Sequence, residues 1–397
     1  MNIASRISKL GTETAFAVSG EAAAHASRGN RVFPFHLGDM NLPTPSTIAE
    51  AAAKAVRDGK TGYCPPAGIP GLREALAADV SASHGLNYTA ENVAVQPGGK
   101  PVIGKFLQAV MNPGDEVLYP NPGYPIYESQ IEYLGGKGLP YGYKETGGRF
   151  AIDLETIERS ITPKTRILIL NDLQNPIAAE CNEEEFQRLA ELVMRHDLMV
   201  LCDEAYFEIR YQGTSQSFAS LPGMVDRCVL LYTFSKKFAM TGWRLGAAIG
   251  PKPVIDVIAK LNVNAESCTA HFIQHAGIAG LTEDQSEVRA LVDELKLRRD
   301  AAVDALNAIE GFQCARPDTT FYLFPNVTAA MEAKGMTDYE TFRRAALEAT
   351  GVSFCSRIHF GRPQPGEANK YLRFAYSGIS VADIQEGLAH LKDWVEA

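Results

Sequence analysis

The sequence predicts an α/β protein: a large domain built on a mainly parallel sheet between helices, followed by a smaller α+β unit. Three observations predict it. Between Ser46 and about Gly280, helical patterns alternate with short β-rich runs, the pattern of a parallel sheet covered by helices. Glu283 to Ile309 then reads as one long charged helix, after which the pattern changes. The 397 residues are also too many for one small core and suit two.

Taken in order, Arg6 to Gly29 has helical character and stops at Gly29-Asn30. Phe35 to Pro45 is a turn-rich crossing segment. Strands are expected at Val93 to Val95, Glu116 to Tyr119, Arg166 to Leu170, Met199 to Cys202, Val229 to Phe234 and Ala247 to Ile249, with a helix at Val102 to Met111. In the last part, Phe321 to Phe324 and Tyr371 to Ala375 read as strands, Tyr339 to Ala349 and Val381 to Val395 as helices, and Gly361 to Glu367 as a surface loop. The expected division is 1–45 as an N-terminal segment of the small domain, 46–285 as the large domain, and 286–397 as the small domain with its connecting helix.

Bulk properties narrow the function. With 46% hydrophobic and 21% charged residues the composition is that of an ordinary globular enzyme. A net charge of −9 without a basic block argues against a nucleic-acid surface. The seven cysteines form no C-x-x-C pair and sit mostly in apolar runs, as reduced thiols do. No stretch approaches the roughly 20 apolar residues of a membrane span, and the first thirty residues lack a signal-peptide core. A cytoplasmic location and no metal site are therefore expected.

The chemistry gathers at strand ends. Lys236 lies in Thr233-Phe234-Ser235-Lys236-Lys237-Phe238, at the carboxyl end of a strand, where α/β sheets hold ligands. A lysine partly desolvated there is a usable Schiff-base nucleophile. The run ending at Leu170 leads into Asn171 and Asn175, and the run ending at Cys202 leads into Asp203 and Tyr206. Alone, each has a plainer role: a helix cap for Asp203, packing for Tyr206, a solvated surface for Lys236. A second cluster is Val95-Gln96-Pro97-Gly98-Gly99-Lys100, a turn between strand and helix whose amides suit an anion; it is not a P-loop, because Pro101 follows the lysine.

In order and spacing, with Gly242-Trp243-Arg244-Leu245-Gly246 following Lys236, these motifs resemble the fold type I aminotransferases that use pyridoxal 5′-phosphate, the class I/II group that includes bacterial aspartate aminotransferase. The resemblance implies a seven-stranded large domain that binds the cofactor and a small domain built from both chain ends. It implies Lys236 as the covalent anchor and proton carrier, Asp203 at the pyridine nitrogen, and Tyr206 and Asn175 at the phenolic oxygen. By the same resemblance Gly98, Gly99, the Lys100 amide, Thr233, Ser235 and Arg244 hold the phosphate, and Tyr124 stacks on the ring. Arg373 matches the arginine that grips the substrate carboxylate, and Gly38 the glycine whose backbone lies against the substrate. Tyr63 matches a tyrosine that reaches the neighbouring subunit's phosphate, which implies a homodimer with shared sites.

The implied reaction is transfer of an α-amino group from an L-amino acid to a 2-oxo acid. L-Aspartate with 2-oxoglutarate leads, because Gly98-Gly99-Lys100 resembles a turn whose lysine binds a distal carboxylate. The other reading of Lys100 is that it faces solvent or only helps the phosphate. Alternatives are a transaminase for neutral, aromatic or basic amino acids, or a carbon–sulfur lyase on the same fold. A regulator with a fused DNA-binding domain is disfavoured by the acidic chain, which starts almost directly at the aminotransferase segment. The sequence departs from the family pattern at Asn175-Pro176-Ile177-Ala178, where a glycine is usual at the last position, at Lys237, and at Thr319-Thr320-Phe321-Tyr322, where Gly-Ala-Phe-Tyr is common. Strand alternation is expected to turn Lys237 away from Lys236.

Overall fold

The protein is described by a computed structural model covering residues 2–11, 14–146 and 149–397. The expected helix from Arg6 to Gly29 is a short 3-10 turn, Ser5–Lys9, followed by α1, Ala15–Ser27; residues 12 and 13 lie outside the described residues.

Among the described residues the large domain carries a seven-stranded sheet. Its strands are β1 (Val93–Gln96), β2 (Glu116–Pro120), β3 (Lys137–Tyr141), β4 (Thr165–Leu170), β5 (Met199–Asp203), β6 (Cys228–Thr233) and β7 (Gly246–Ile249), in the order β1-β7-β6-β5-β4-β2-β3. Only β7 runs antiparallel to its neighbours. The six strands expected by position are all present, and β3 is the seventh that the resemblance implies, at a position the sequence left open. Along β4, Leu168 and Leu170 enter the core on one face, and Ile167 and Ile169 the core on the other. The strands of a sheet covered on both faces read for this reason as unbroken apolar runs.

Helix α2 (Pro70–His84) packs against one face, and α3 (Lys100–Val110) begins directly after the turn that follows β1. Helix α4 (Phe234–Lys237) is a single turn following β6. Phe234, expected as the last strand residue, is its first residue: the Thr233 hydroxyl accepts the Ser235 amide and caps the turn. The long helix α5 (Ser286–Asn307) has Val288 in the large-domain core and Leu295, Val303 and Leu306 in the small-domain core, so it bridges the two.

The small domain has the strands β8 (Tyr322–Leu323), β9 (Cys355–Ser356) and β10 (Leu372–Ala375), ordered β8-β10-β9, with α6 (Tyr339–Thr350) and α7 (Val381–Glu396). Phe33–Pro34 pairs with Val352–Ser353, and Phe33 and Phe35 are buried in this same core. Both chain ends therefore build it.

Candidate active site

The parallel register sets Leu170 beside Cys202 and Cys202 beside Leu230, so β4, β5 and β6 end on one rim. Above that rim, between the domains, lies a cavity of about 490 Å³. Asn175, Asp203, Tyr206 and Lys236 line it from the rim, and Gly38 and Arg373 from the small-domain side. Gly99, Lys100, Tyr124, Thr233, Ser235 and Arg244 complete the wall.

Lys236 Nζ donates to the carbonyl of Gly38 at 2.7 Å and lies 5.4 Å from the centroid of the Phe321 ring. Lys237 points elsewhere, with its ammonium 3.4 Å from both Asp79 and Glu208. The expected direction holds and the expected reason does not: the two lysines diverge because they sit on the helical turn α4, not on a strand.

Asp203 is buried, and its carboxylate accepts the Tyr127 hydroxyl at 2.6 Å and the Ala205 amide at 3.2 Å. Burial pushes its pKa up to about 6, against the pull of the Tyr127 hydrogen bond. Asn171 fixes two neighbours at once, donating to the Asp203 carbonyl at 2.9 Å and accepting the Asn175 amide at 3.1 Å.

Arg373, on β10, is only 4% exposed. It donates to Asn175 Oδ1 at 3.2 Å and to the His36 carbonyl at 2.5 Å, and its Nε is buried without a partner among the described residues. No carboxylate pairs with it among these bonds. The guanidinium carbon lies 4.7 Å from the Tyr322 ring centroid and 4.6 Å from that of Phe360. The neighbouring cation also acts on His36, whose ring burial and Arg373 together bring down to about 4, so it is neutral near pH 7.

Gly98 has φ +100°, and a Cβ there would collide with the Arg244 guanidinium. The turn thus brings backbone amides, the start of α3 and an arginine together. Gly98 flanks the cavity without lining it. Lys100 is exposed at the rim, its Nζ 5.8 Å from the Tyr124 ring centroid. Tyr63 stays apart: 89% exposed, it does not line the cavity of its own chain.

Three side chains escaped the sequence reading. Tyr127 carries no strand-end signal, although it stands one helical turn past Tyr124. Tyr322 carries no sequence signal beyond the Thr319-Thr320-Phe321-Tyr322 departure, yet its hydroxyl is 2.8 Å from that of Tyr206. Phe16, on α1, is 61% exposed and lines the cavity mouth.

A doubly covered, mainly parallel sheet with lysine, aspartate and arginine gathered around a cavity above its rim suits an enzyme that binds a small anionic substrate. The description "Aminotransferase class I and II" matches residues 31–391. An aspartate aminotransferase of Rhizobium meliloti is 33% identical over 98% of this chain and 95% of its own. A probable aspartate/prephenate aminotransferase of Aquifex aeolicus is 31% identical over 99% and 98%. The solved aspartate aminotransferase from Thermus thermophilus with maleate superimposes with a TM-score of 0.90 at 30% identity, covering 99% of both chains. The chain belongs to the class I and II aminotransferases and is a transaminase, as its motifs led one to expect.

Proposed function

We propose that this transaminase holds pyridoxal 5′-phosphate covalently through Lys236 and moves the amino group of L-aspartate to 2-oxoglutarate in a ping-pong cycle. The observation that carries the proposal is the convergence on one cavity of Lys236, Asp203 and Arg373, whose hydrogen bonds among the described residues include no carboxylate.

The residues fit the cofactor. Asp203 is a buried carboxyl raised to about 6, which a protonated ring nitrogen would return toward its ordinary range. The Gly98-Gly99 turn with Arg244, Thr233 and Ser235 suits a phosphate, and Tyr124 offers a ring at the same wall. When bound, the cofactor supplies an electron sink for charge at the substrate α-carbon.

The chain does the rest. Asp203 holds the ring nitrogen protonated. Asn175 already accepts from Arg373 through Oδ1, which leaves Nδ2 to donate to the phenolic oxygen beside Tyr206. Arg373 orients the α-carboxylate with a planar fork that a lysine lacks. Lys236 Nζ takes the proton from the donor's α-carbon and, with the cofactor bound, would deliver it to that cofactor's C4′ carbon, the oxo-acid half running the same transfer backwards. Gly38 lets the backbone approach the substrate closely.

Lys100 at the rim supports a dicarboxylic donor, as do the names of the two relatives and of the Thermus enzyme. Tyr63, exposed and remote from its own cavity, supports a homodimer in which it serves the partner's phosphate. Seven free cysteines support a reducing cytoplasm, and among the described residues no helix is long and apolar enough to cross a membrane. Phe33 and Phe35 in the small-domain core and Ile48 in the large-domain core support the 45/46 limit, and the start of α5 at Ser286 supports the 285/286 limit.

The test is a half-reaction: cofactor-loaded protein is mixed with single L-amino acids without oxo acid, and the visible band of the lysine-bound cofactor is followed. Aspartate and glutamate are expected to discharge it at least about tenfold faster than alanine, phenylalanine or ornithine, the discrimination of a partly desolvated ion pair. Rapid discharge by a neutral or basic donor with aspartate inert would remove Lys100 as the selector.

A further inference from the structure

The small-domain strand β8 places one side chain, Tyr322, against three parts of the site at once. Its hydroxyl is 2.8 Å from the Tyr206 hydroxyl. Its ring lies under the Arg373 guanidinium, 4.7 Å from centroid to carbon. Its hydroxyl end also occupies the space that a Cβ on Gly38 would need, and the Gly38 carbonyl is the acceptor for Lys236.

We propose that Tyr322 is a positioning residue that donates to the Tyr206 oxygen and so strengthens Tyr206 as a donor to the cofactor, while its ring holds Arg373 for the substrate carboxylate.

The proposal rests on the reading of the site given above, and hydrogen-bond directions then follow. A Tyr206 hydroxyl that spends its one proton on the phenolic oxygen must accept from Tyr322. Accepting a hydrogen bond polarises the O–H of the acceptor and makes it a better donor. Burial first, then Tyr322 and Asp203, hold the Tyr206 phenol well above its ordinary range against Arg373, so it keeps its proton. The charged groups facing the hydroxyl pair are Asp203 from β5 and Arg373 from β10, with Lys236 on the Gly38 carbonyl beside them. A stronger Tyr206 bond favours the charged phenolate and lowers the pH at which the lysine-bound cofactor changes colour. Tyr322 belongs to the small domain and Tyr206 to the large, so this tuning depends on how the two domains seat against each other.

Two variants separate the roles. Tyr322→Phe removes the hydroxyl and keeps the ring. Its colour-change midpoint is expected to rise by about half a pH unit, from the loss of one ordinary hydrogen bond, with KM for aspartate within about twofold of wild type. Tyr322→Leu removes both, so the midpoint should rise equally and KM about tenfold, the loss of a desolvated cation–π contact. A merely structural residue would change thermal stability and leave the midpoint in place. An unchanged midpoint in Tyr322→Phe, with wild type showing a normal titration, overturns this proposal alone. A wild-type protein that never develops the lysine-bound band overturns the reading of the site and this proposal with it.

Discussion

Asp203 and Tyr127 form a pair whose two halves differ in how the sequence shows them. An aspartate at a strand end announces itself; a tyrosine that is fully buried and donates to it at 2.6 Å does not, because its position follows from the turn of chain after Pro125. In the proposed site the pair would set the pH below which cofactor uptake fails. Burial raises the Asp203 carboxyl to about 6 even with Tyr127 in place, so Tyr127→Phe should raise it further. The ionised carboxylate is the form that would receive the ring nitrogen, so the acid limb of the rate of cofactor uptake by the cofactor-free protein is expected to move upward by about one pH unit. A carboxyl whose folded pKa is raised favours folding below its unfolded pKa and loses that contribution as pH rises through about 6. Cofactor-free Tyr127→Phe should therefore lose more stability at pH 8 than at pH 5 relative to wild type. Superimposable pH–rate profiles would show that Tyr127 does not govern Asp203.

The turn after Asn175 shows what an element does when its usual residue is missing. Ala178 keeps a left-handed backbone, φ +53°, where a glycine is usual, and the turn is held by Gln174. The Gln174 carbonyl accepts the Ala178 amide at 2.8 Å, and its side chain accepts the Ile177 amide at 2.9 Å and donates to Pro122 at 2.6 Å. Ile177 and Ala179 bury against Phe324, which keeps the loop from relaxing. A left-handed alanine costs roughly 1–2 kcal/mol, and glycine gives back roughly 0.5–1 through its freer unfolded chain. Ala178→Gly is thus expected to stabilise the protein by about 0.5–1 kcal/mol, read as a raised denaturation midpoint, with the half-reaction rate unchanged; a destabilised variant would mean that the loop carries no strain. Thr320 has the same character, φ +61° in a β-branched residue, with its carbonyl accepting the Tyr211 and Tyr376 hydroxyls. Elements that obey local rules were legible from sequence, as β4, β5 and α5 show. Strand β3 was not, because Lys137-Gly138-Leu139-Pro140-Tyr141 has poor β-propensity and is held at the sheet edge by its pairing with β2.

At the scale of the whole molecule, the large domain supplies Lys236, Asp203 and Tyr206, and the small domain supplies Arg373 and Tyr322. Sequence motifs gave the large-domain set readily, because strand ends in a parallel sheet meet at one rim. The small-domain contribution was visible only through resemblance, since nothing local in Tyr371-Leu372-Arg373-Phe374 says that this arginine is buried between two aromatic rings. The proposed homodimer would extend the same logic to a second chain through Tyr63. An 89% exposed tyrosine next to half-buried Cys64 and Pro66, in a loop stitched to the turn before His271 by Gln274, is held rigidly outward. If it completes the partner's site, complementation follows from the symmetry of a closed dimer. Lys236→Ala chains have a dead site but an intact Tyr63; Tyr63→Leu chains have an intact Lys236 but deprive their partner of the tyrosine. In a hybrid, the Tyr63→Leu chain keeps its own Lys236 and receives Tyr63 from the Lys236→Ala chain, so one site is wild type and the other dead. Hybrids isolated with two different affinity tags should show about half of wild-type turnover at limiting cofactor, well above either variant homodimer. A hybrid no more active than half of the Tyr63→Leu homodimer would mean that each site is built from one chain and that Tyr63 does not serve the partner's phosphate.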